Sequence, residues 1–371
     1  MHVLMTSDTL NAALWSYTQE LVTELARRGT RVTLVSFGDI PLPEQTSWME
    51  QVRGLEYRPT AFRLDWMHEA RQDFAEASAY LCSLVNEIKP DLFHSNHLCY
   101  GALPVLVPRV AVAHGDLLTW WKAAHGREPK ESGWIRWYRE TTARGMYEAS
   151  AVVAASDWML ETLRSSYVVP MHGHVINTGR NPGDFNPYVT KDDSVLSVGR
   201  TFDAASQMHL VAELPEPVPL CIVDSSQAEE LEEPDDDDSE SGETQTRLLR
   251  GPKSSAQMRL LYSRASIFVS ASRYEPSGMA ILEAALSRCA LILNDIPALR
   301  EIWGPAAVYF RTNDGDSLSE AVRILNGDPL LRRTFANRAF NRSRQSYNAK
   351  RMTNSYLQLY HGLVGRALRA A

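Results

Sequence analysis

Residues Ala271–Leu293 read ASRYEPSGMAILEAALSRCALIL, and this stretch decides the fold class. An apolar strand, Ile267–Ser272, runs into a turn carrying Glu275 and Pro276. A helix, Gly278–Ser287, and a second strand, Leu291–Asn294, follow. Strand, helix and strand at this spacing form one crossover of a parallel sheet. Ser277 is a suitable N-cap, and Gly278 lets a ligand approach the backbone closely. The N–H groups of Gly278, Met279 and Ala280 are expected to form an anion site, helped by a helix dipole of about +0.5 charge. Glu283 lies roughly 7.5 Å further up the axis, and Glu275 precedes the helix. Carboxylates suit sugar hydroxyls and not phosphate. The economical ligand has a diphosphate in the middle and hydroxylated rings at both ends, which describes a nucleotide-sugar. A lone Glu-x7-Glu spacing is common; its strand–turn–helix context gives it weight.

The same alternation extends both ways. Strand His2–Ser7, a helix over Leu14–Arg28 closed by Gly29, and strand Arg31–Phe37 open the chain. Further strands are expected at Asp91–Asn96, Val110–His114, Ala151–Ser156 and His174–Asn177. Residues Gly179–Asp193, rich in Pro, Gly, Asn and Asp, read as a linker. Strands then restart at Val195–Arg200, Leu220–Asp224, Thr246–Leu249 and Ala307–Phe310, and helices fill most of Gly315–Ala371. The expected organisation is an N-terminal acceptor-side domain over 1–180, a nucleotide-sugar domain over 181–350, and a C-terminal helix over 351–371 packing back on the first. Ligands of doubly wound sheets bind outside the carboxyl ends of the strands.

Composition narrows the function classes. The 371 residues are 44% apolar and 22% charged, ordinary for a globular chain of two domains. No apolar run approaches a membrane span, mean hydropathy is −0.28, and the opening MHVLMTSD lacks a secretory pattern. Cys82, Cys99, Cys221 and Cys289 are scattered, against structural zinc or a disulfide framework, so a cytoplasmic setting is expected. Net charge is −7, but ten acids and no base lie between Glu229 and Glu243. The remaining body is near +3, without the basic footprint of a nucleic-acid binder. The acidic stretch, about 225–245, reads as a solvated mobile insertion rather than a metal loop at Asp235–Asp238. No metal ligand set and no required cofactor are expected.

The segment RYEPSGMAILEAALSRCALIL followed by NDIPALREIWGPAAVYF resembles the donor-site signature of retaining glycosyltransferases of family 4 (glycosyl transferases group 1, polysaccharide-biosynthesis type). The opening MHVLMTSDTLNAALWSYTQELVTELARRG, then PDLFHSN, VAHGDLLTWW and VLSVGRTFDAAS, match that family in order. The resemblance implies the GT-B fold, α/β, with two Rossmann-like doubly wound domains facing across a cleft. It implies that Glu275 contacts the donor sugar and Glu283 the ribose. Arg200 reaches the diphosphate, and His114 lies near the donor sugar. UDP is the nucleotide the resemblance favours over GDP or ADP. The acceptor is a saccharide or a lipid-linked saccharide, which would bring the enzyme to the inner face of the plasma membrane.

Three departures accompany it. The family's paired glycines read Asn11-Ala12-Ala13, its phosphate lysine falls on Ala205 or Ser206, and its Asn-Gly reads Thr178-Gly179. Arg273 or Lys253 would supply the missing charge. Asp116, Trp120 and Trp121 are acceptor-side candidates, with Trp134 and Trp137 nearby among interleaved bases; core packing explains several of these tryptophans equally well. Two other classes stay open: a nucleotide-sugar epimerase on the same architecture, and a non-catalytic nucleotide-sugar-binding relative.

Overall fold

The computed structural model describes residues 1–215, 218–224, 246–251 and 253–370. The acidic segment expected to form an insertion, with Asp235–Asp238, lies outside the described residues. Two compact units are present: Met1–Lys122, Gly126–Asn181 and Tyr347–Ala371 form one, and Ala123–His125 with Pro182–Ser346 form the other.

The first unit holds seven strands: β1 His2–Asp8, β2 Arg31–Phe37, β3 Leu55–Pro59, β4 Leu92–Ser95, β5 Arg109–Ala113, β6 Ala151–Ala154 and β7 Gly173–Val175. They pair in parallel in the order β3-β2-β1-β4-β5-β6-β7. β1 is buried along its whole length, as the centre of a sheet covered on both faces requires. Leu4, Val35, Phe37, Leu81 and Phe93 belong to one of its core clusters. Sequence reading passes over β3, because this edge strand is only partly buried and carries Arg58 and Pro59. The helix Ala12–Arg27 buries Leu14, Tyr17, Leu21 and Leu25 and stops at Gly29, whose φ is 76°.

The last helix, Ala349–Ala370, belongs to this first unit, and the Tyr17 hydroxyl donates to the Tyr356 hydroxyl at 2.6 Å. The chain rejoins the unit beside Arg180, whose N–H donates to Tyr347 O at 3.1 Å and whose carbonyl accepts from Ala349 N at 3.0 Å. A Cβ on Gly179 would stand 2.4 Å from the Asn348 carbonyl oxygen, so only glycine fits that crossing.

The second unit holds β8 Asp192–Gly199, β9 Leu220–Asp224, β10 Thr246–Leu249, β11 Ala265–Ser270, β12 Ala290–Asn294 and β13 Val308–Phe310. All pair in parallel, in the order β10-β9-β8-β11-β12-β13. Val195, Ile222, Ile267, Val269 and Ile292 form the centre of its core. Strand order reverses between β1 and β4 in the first unit, and between β8 and β11 in the second. Those reversals mark where doubly wound sheets bind ligands.

Candidate active site

In the second unit the carboxyl edge of the sheet gathers Arg200 after β8, Lys253 after β10, and Arg273 and Glu275 after β11. The helix Met279–Leu286 begins where expected but is capped differently. Gly278, not Ser277, is the N-cap, at φ 61° and ψ 34° with no side-chain cap. A left-handed residue there costs glycine little and other residues more. Ser277 therefore sits outside the helix. A second correction concerns the anion site: the Gly278 N–H donates to Glu275 Oε1 at 3.0 Å. It is not open, which leaves Met279 and Ala280 as first-turn donors without intrahelical acceptors. Burial raises the Glu275 pKa to about 7, opposed by that N–H and supported by the nearby Asp203. Glu283 is half-buried in the middle of the same helix.

None of the three cations at this edge has a carboxylate within ion-pair distance among the described residues. Arg273 Nε donates to Asn313 Oδ1 at 2.6 Å, and the Lys253 ammonium donates to the Arg250 carbonyl. Both of these partners are neutral, so neither cation is paired with a carboxylate among the described residues. In place of the expected lysine, Ala205 is buried and its carbonyl accepts from Arg273 N at 2.8 Å; Ser206 Oγ donates to Arg200 O at 2.9 Å. A polar network that sequence reading missed ties the edge together. Asn313 Oδ1 also accepts from Gln207 Nε2 at 2.7 Å, and Asn294 Oδ1 accepts from Thr312 Oγ1 at 2.8 Å. Gln207 and Asn313 both have positive φ, a conformation no sequence pattern announced.

In the first unit, His114 follows β5 and is half-buried. Its Nε2 donates to Asn96 Oδ1 at 2.8 Å, and Tyr17 packs edge-on against its ring at 4.4 Å between centroids. Burial, reinforced by His94 and His97, holds the His114 pKa down to about 3, so the ring is neutral.

Asn11 caps the helix Ala12–Arg27: its Oδ1 accepts from Ala13 N at 3.1 Å and Leu14 N at 3.2 Å, and its own N–H donates to Asp8 Oδ1 at 2.7 Å. Ala12 is exposed beside it. The amides that a glycine pair would leave open here are thus taken by a side chain.

Asp116 is turned into the core. It caps the helix Leu117–His125 through Thr119 N at 2.9 Å and accepts from the Tyr138 and Tyr167 hydroxyls. Burial raises its pKa, opposed first by Tyr167. That inward orientation runs against an acceptor contact. Trp120 and Trp121 meet edge-to-face at 6.1 Å, both partly exposed. Trp137 lies on the helix Gly133–Glu148, edge-on to Phe74 at 5.8 Å. Among the described residues, no three His, Cys, Asp or Glu side chains are grouped to hold a metal ion, and no helix is long and apolar enough to cross a membrane.

Residues 14–183 match the family described as Glycosyltransferase Family 4, and residues 186–342 match Glycosyl transferases group 1. Alpha-maltose-1-phosphate synthase from Mycolicibacterium smegmatis is 26% identical over 300 residues, which is 72% of this chain and 75% of that protein. Among solved structures, sucrose-phosphate synthase from Thermosynechococcus elongatus superposes with a TM-score of 0.76 at 15% identity, over 99% of this chain and 100% of the other. HepE from Anabaena, solved with UDP and glucose, gives a TM-score of 0.74 at 15% identity, over 98% and 100%. The fold is that of the GT-B glycosyltransferases.

Proposed function

Because the chain belongs to the glycosyltransferase group 1 family, we propose that it moves a sugar, with retention of anomeric configuration, from a UDP-sugar to a saccharide or lipid-linked saccharide acceptor. Bacterial exopolysaccharide or cell-envelope glycan synthesis is the setting. One observation carries this reading: a carboxyl edge where Arg200, Arg273 and Lys253 have no carboxylate partner among the described residues, with a glycine-led helix start and a carboxyl on the turn before it. A bound diphosphate brings about −2 charge; Arg200, Arg273 and Lys253 with the helix terminus oppose it. The Anabaena structure, solved with UDP and glucose, supports the choice of donor class.

In this mechanism the donor C1–O bond to the diphosphate breaks as the acceptor oxygen bonds to C1 on the same face. The acceptor proton passes to the departing phosphate oxygen. The cations and the first-turn amides of Met279 and Ala280 stabilise charge on that oxygen, and Glu275 holds a donor-sugar hydroxyl. Glu283 accepts from the ribose hydroxyls, and His114 contacts the sugar. Lipid-linked acceptors would place the enzyme peripherally at a membrane face.

Titration with a panel of UDP-, GDP- and ADP-sugars, followed by product analysis with a saccharide acceptor, tests the proposal. A product of inverted configuration removes the mechanism, and no binding by any of them removes the donor class. A second reading, a binder without transferase activity, is favoured by the Asn11 cap, which occupies amides a phosphate-binding glycine loop would offer. Donor hydrolysis or transfer at a measurable rate eliminates it.

A further inference from the structure

Asn96 stands at the end of β4, only 4% exposed, and its amide orientation is fixed from one side. Nδ2 donates to the Thr6 carbonyl oxygen of β1 at 2.7 Å, and the backbone N–H donates to Thr6 Oγ1 at 3.1 Å. A flipped amide would set two oxygens against each other at Thr6, so Oδ1 must face away from β1. There it meets two imidazole nitrogens, His94 Nε2 at 3.0 Å and His114 Nε2 at 2.8 Å. An amide oxygen only accepts, and its two lone pairs match two donors. Each ring therefore carries its proton on Nε2. The other side of His94 is compatible with this, because a tyrosine hydroxyl can donate or accept. His94 Nδ1 lies 2.6 Å from the Tyr360 hydroxyl, which donates to a bare nitrogen there. Tyr360 comes from the helix Ala349–Ala370, which also sets Tyr356 against the His94 ring at 5.3 Å.

We propose that Asn96 is a positioning residue that locks His114 as its neutral Nε2–H tautomer, so that His114 Nδ1 meets the donor sugar only as a hydrogen-bond acceptor. The partner it selects is a sugar hydroxyl, not an anionic oxygen and not a carbonyl. This rests on the reading above that His114 belongs to the donor site. The tautomer itself does not depend on that reading, and the two fail separately. His94 and Tyr360 complete the support: Tyr360 fixes His94, and His94 occupies the second lone pair of Asn96, leaving that oxygen one remaining direction, toward His114.

The test uses the full chain labelled with 15N-histidine and long-range proton–nitrogen correlation spectra near neutral pH. His94→Gln and His114→Gln identify the two spin systems. In the wild type both rings should show a protonated Nε2 and a bare Nδ1. In Asn96→Ala, His114 should populate both tautomers. Affinity for UDP-glucose should then fall at least about fivefold, the loss of one neutral hydrogen bond, while affinity for UDP changes by less than about twofold. A wild-type His114 carrying its proton on Nδ1, or charged, overturns the proposal whether or not the variant folds. So does an Asn96→Ala protein whose His114 keeps one tautomer and full UDP-glucose affinity. If the wild-type tautomers are as stated and Asn96→Ala releases His114 into both, but no nucleotide-sugar binds, the donor-site role proposed for His114 is overturned and the locking by Asn96 stands.

Discussion

The carboxyl edges of the two sheets are built to opposite rules. At the first, functional side chains are matched inside the protein: Asn96 satisfies both His94 and His114, Asp116 is held by two tyrosine hydroxyls and a cap, and Asn11 closes its own helix. At the second, Arg200, Arg273 and Lys253 have no carboxylate partner among the described residues, and the helix start has no side-chain cap. An edge with its polar groups already matched is stiff and neutral, and it offers shape and a few directed atoms. An edge whose cations lack a carboxylate among the described residues suits an anionic ligand. The contrast predicts that substitutions at the second edge act on ligand and turnover, whereas those at the first, the Asn96–His114 pair apart, act on stability.

The sharpest way to break it is Glu275→Ala. Turnover should fall by about two to three orders of magnitude, the usual cost of removing a group that acts in the transition state; an initial-rate assay decides, and an unchanged kcat sinks the site. Asp116→Ala should instead lower unfolding free energy by about 3 kcal/mol in a denaturant titration, because it leaves two buried hydroxyls and a helix start unmatched. Retention of full stability would show the first edge to be less self-contained than described. Arg200→Ala should weaken UDP binding roughly 10- to 100-fold by calorimetry, with little change in Tm because no described carboxylate loses a partner.

The Glu275 carboxyl, raised to about 7 by burial, also sets a pH test. A raised carboxyl pKa contributes stability below its ordinary value of 4.5 that is lost as pH climbs to about 7. Wild type should therefore lose stability relative to Glu275→Gln across that window and run parallel to it above, in melting curves taken by pH. The smallest effect is expected from Asn11→Ala, about 1 kcal/mol of stability, with Asn11→Gly costing only a few tenths. UDP affinity should hold in both, and a loss there would give the first edge a phosphate role.

The candidate site of the second unit is legible in the sequence because its signal is local. Ser272 to Leu293 spells strand, turn, glycine and helix within one window, and Glu275 and Glu283 take their places from it. The cap falls one residue later than the serine suggests, since serine at a helix start is a preference that a left-handed glycine beside a competing carboxyl overrides. β3 escaped notice because an edge strand half-exposed to water lacks apolar alternation. The Asn96 arrangement was out of reach for a different reason. His94 stands two residues before Asn96, but His114 is 18 positions further on and the residue fixing His94, Tyr360, is 266 positions away, and no periodicity encodes such a pairing.

That long separation imposes an order on biosynthesis. The first sheet can assemble once β7 has left the ribosome, yet the hydroxyls of Tyr356 and Tyr360 are translated only after the entire second unit. Until then the imidazole of His94 lacks its tyrosine donor and the aromatic seat around Tyr17 stays uncovered. A nascent chain arrested between the two units would hold a sheet with an unfinished histidine pocket, a state that chaperones and proteases would meet before any sugar does.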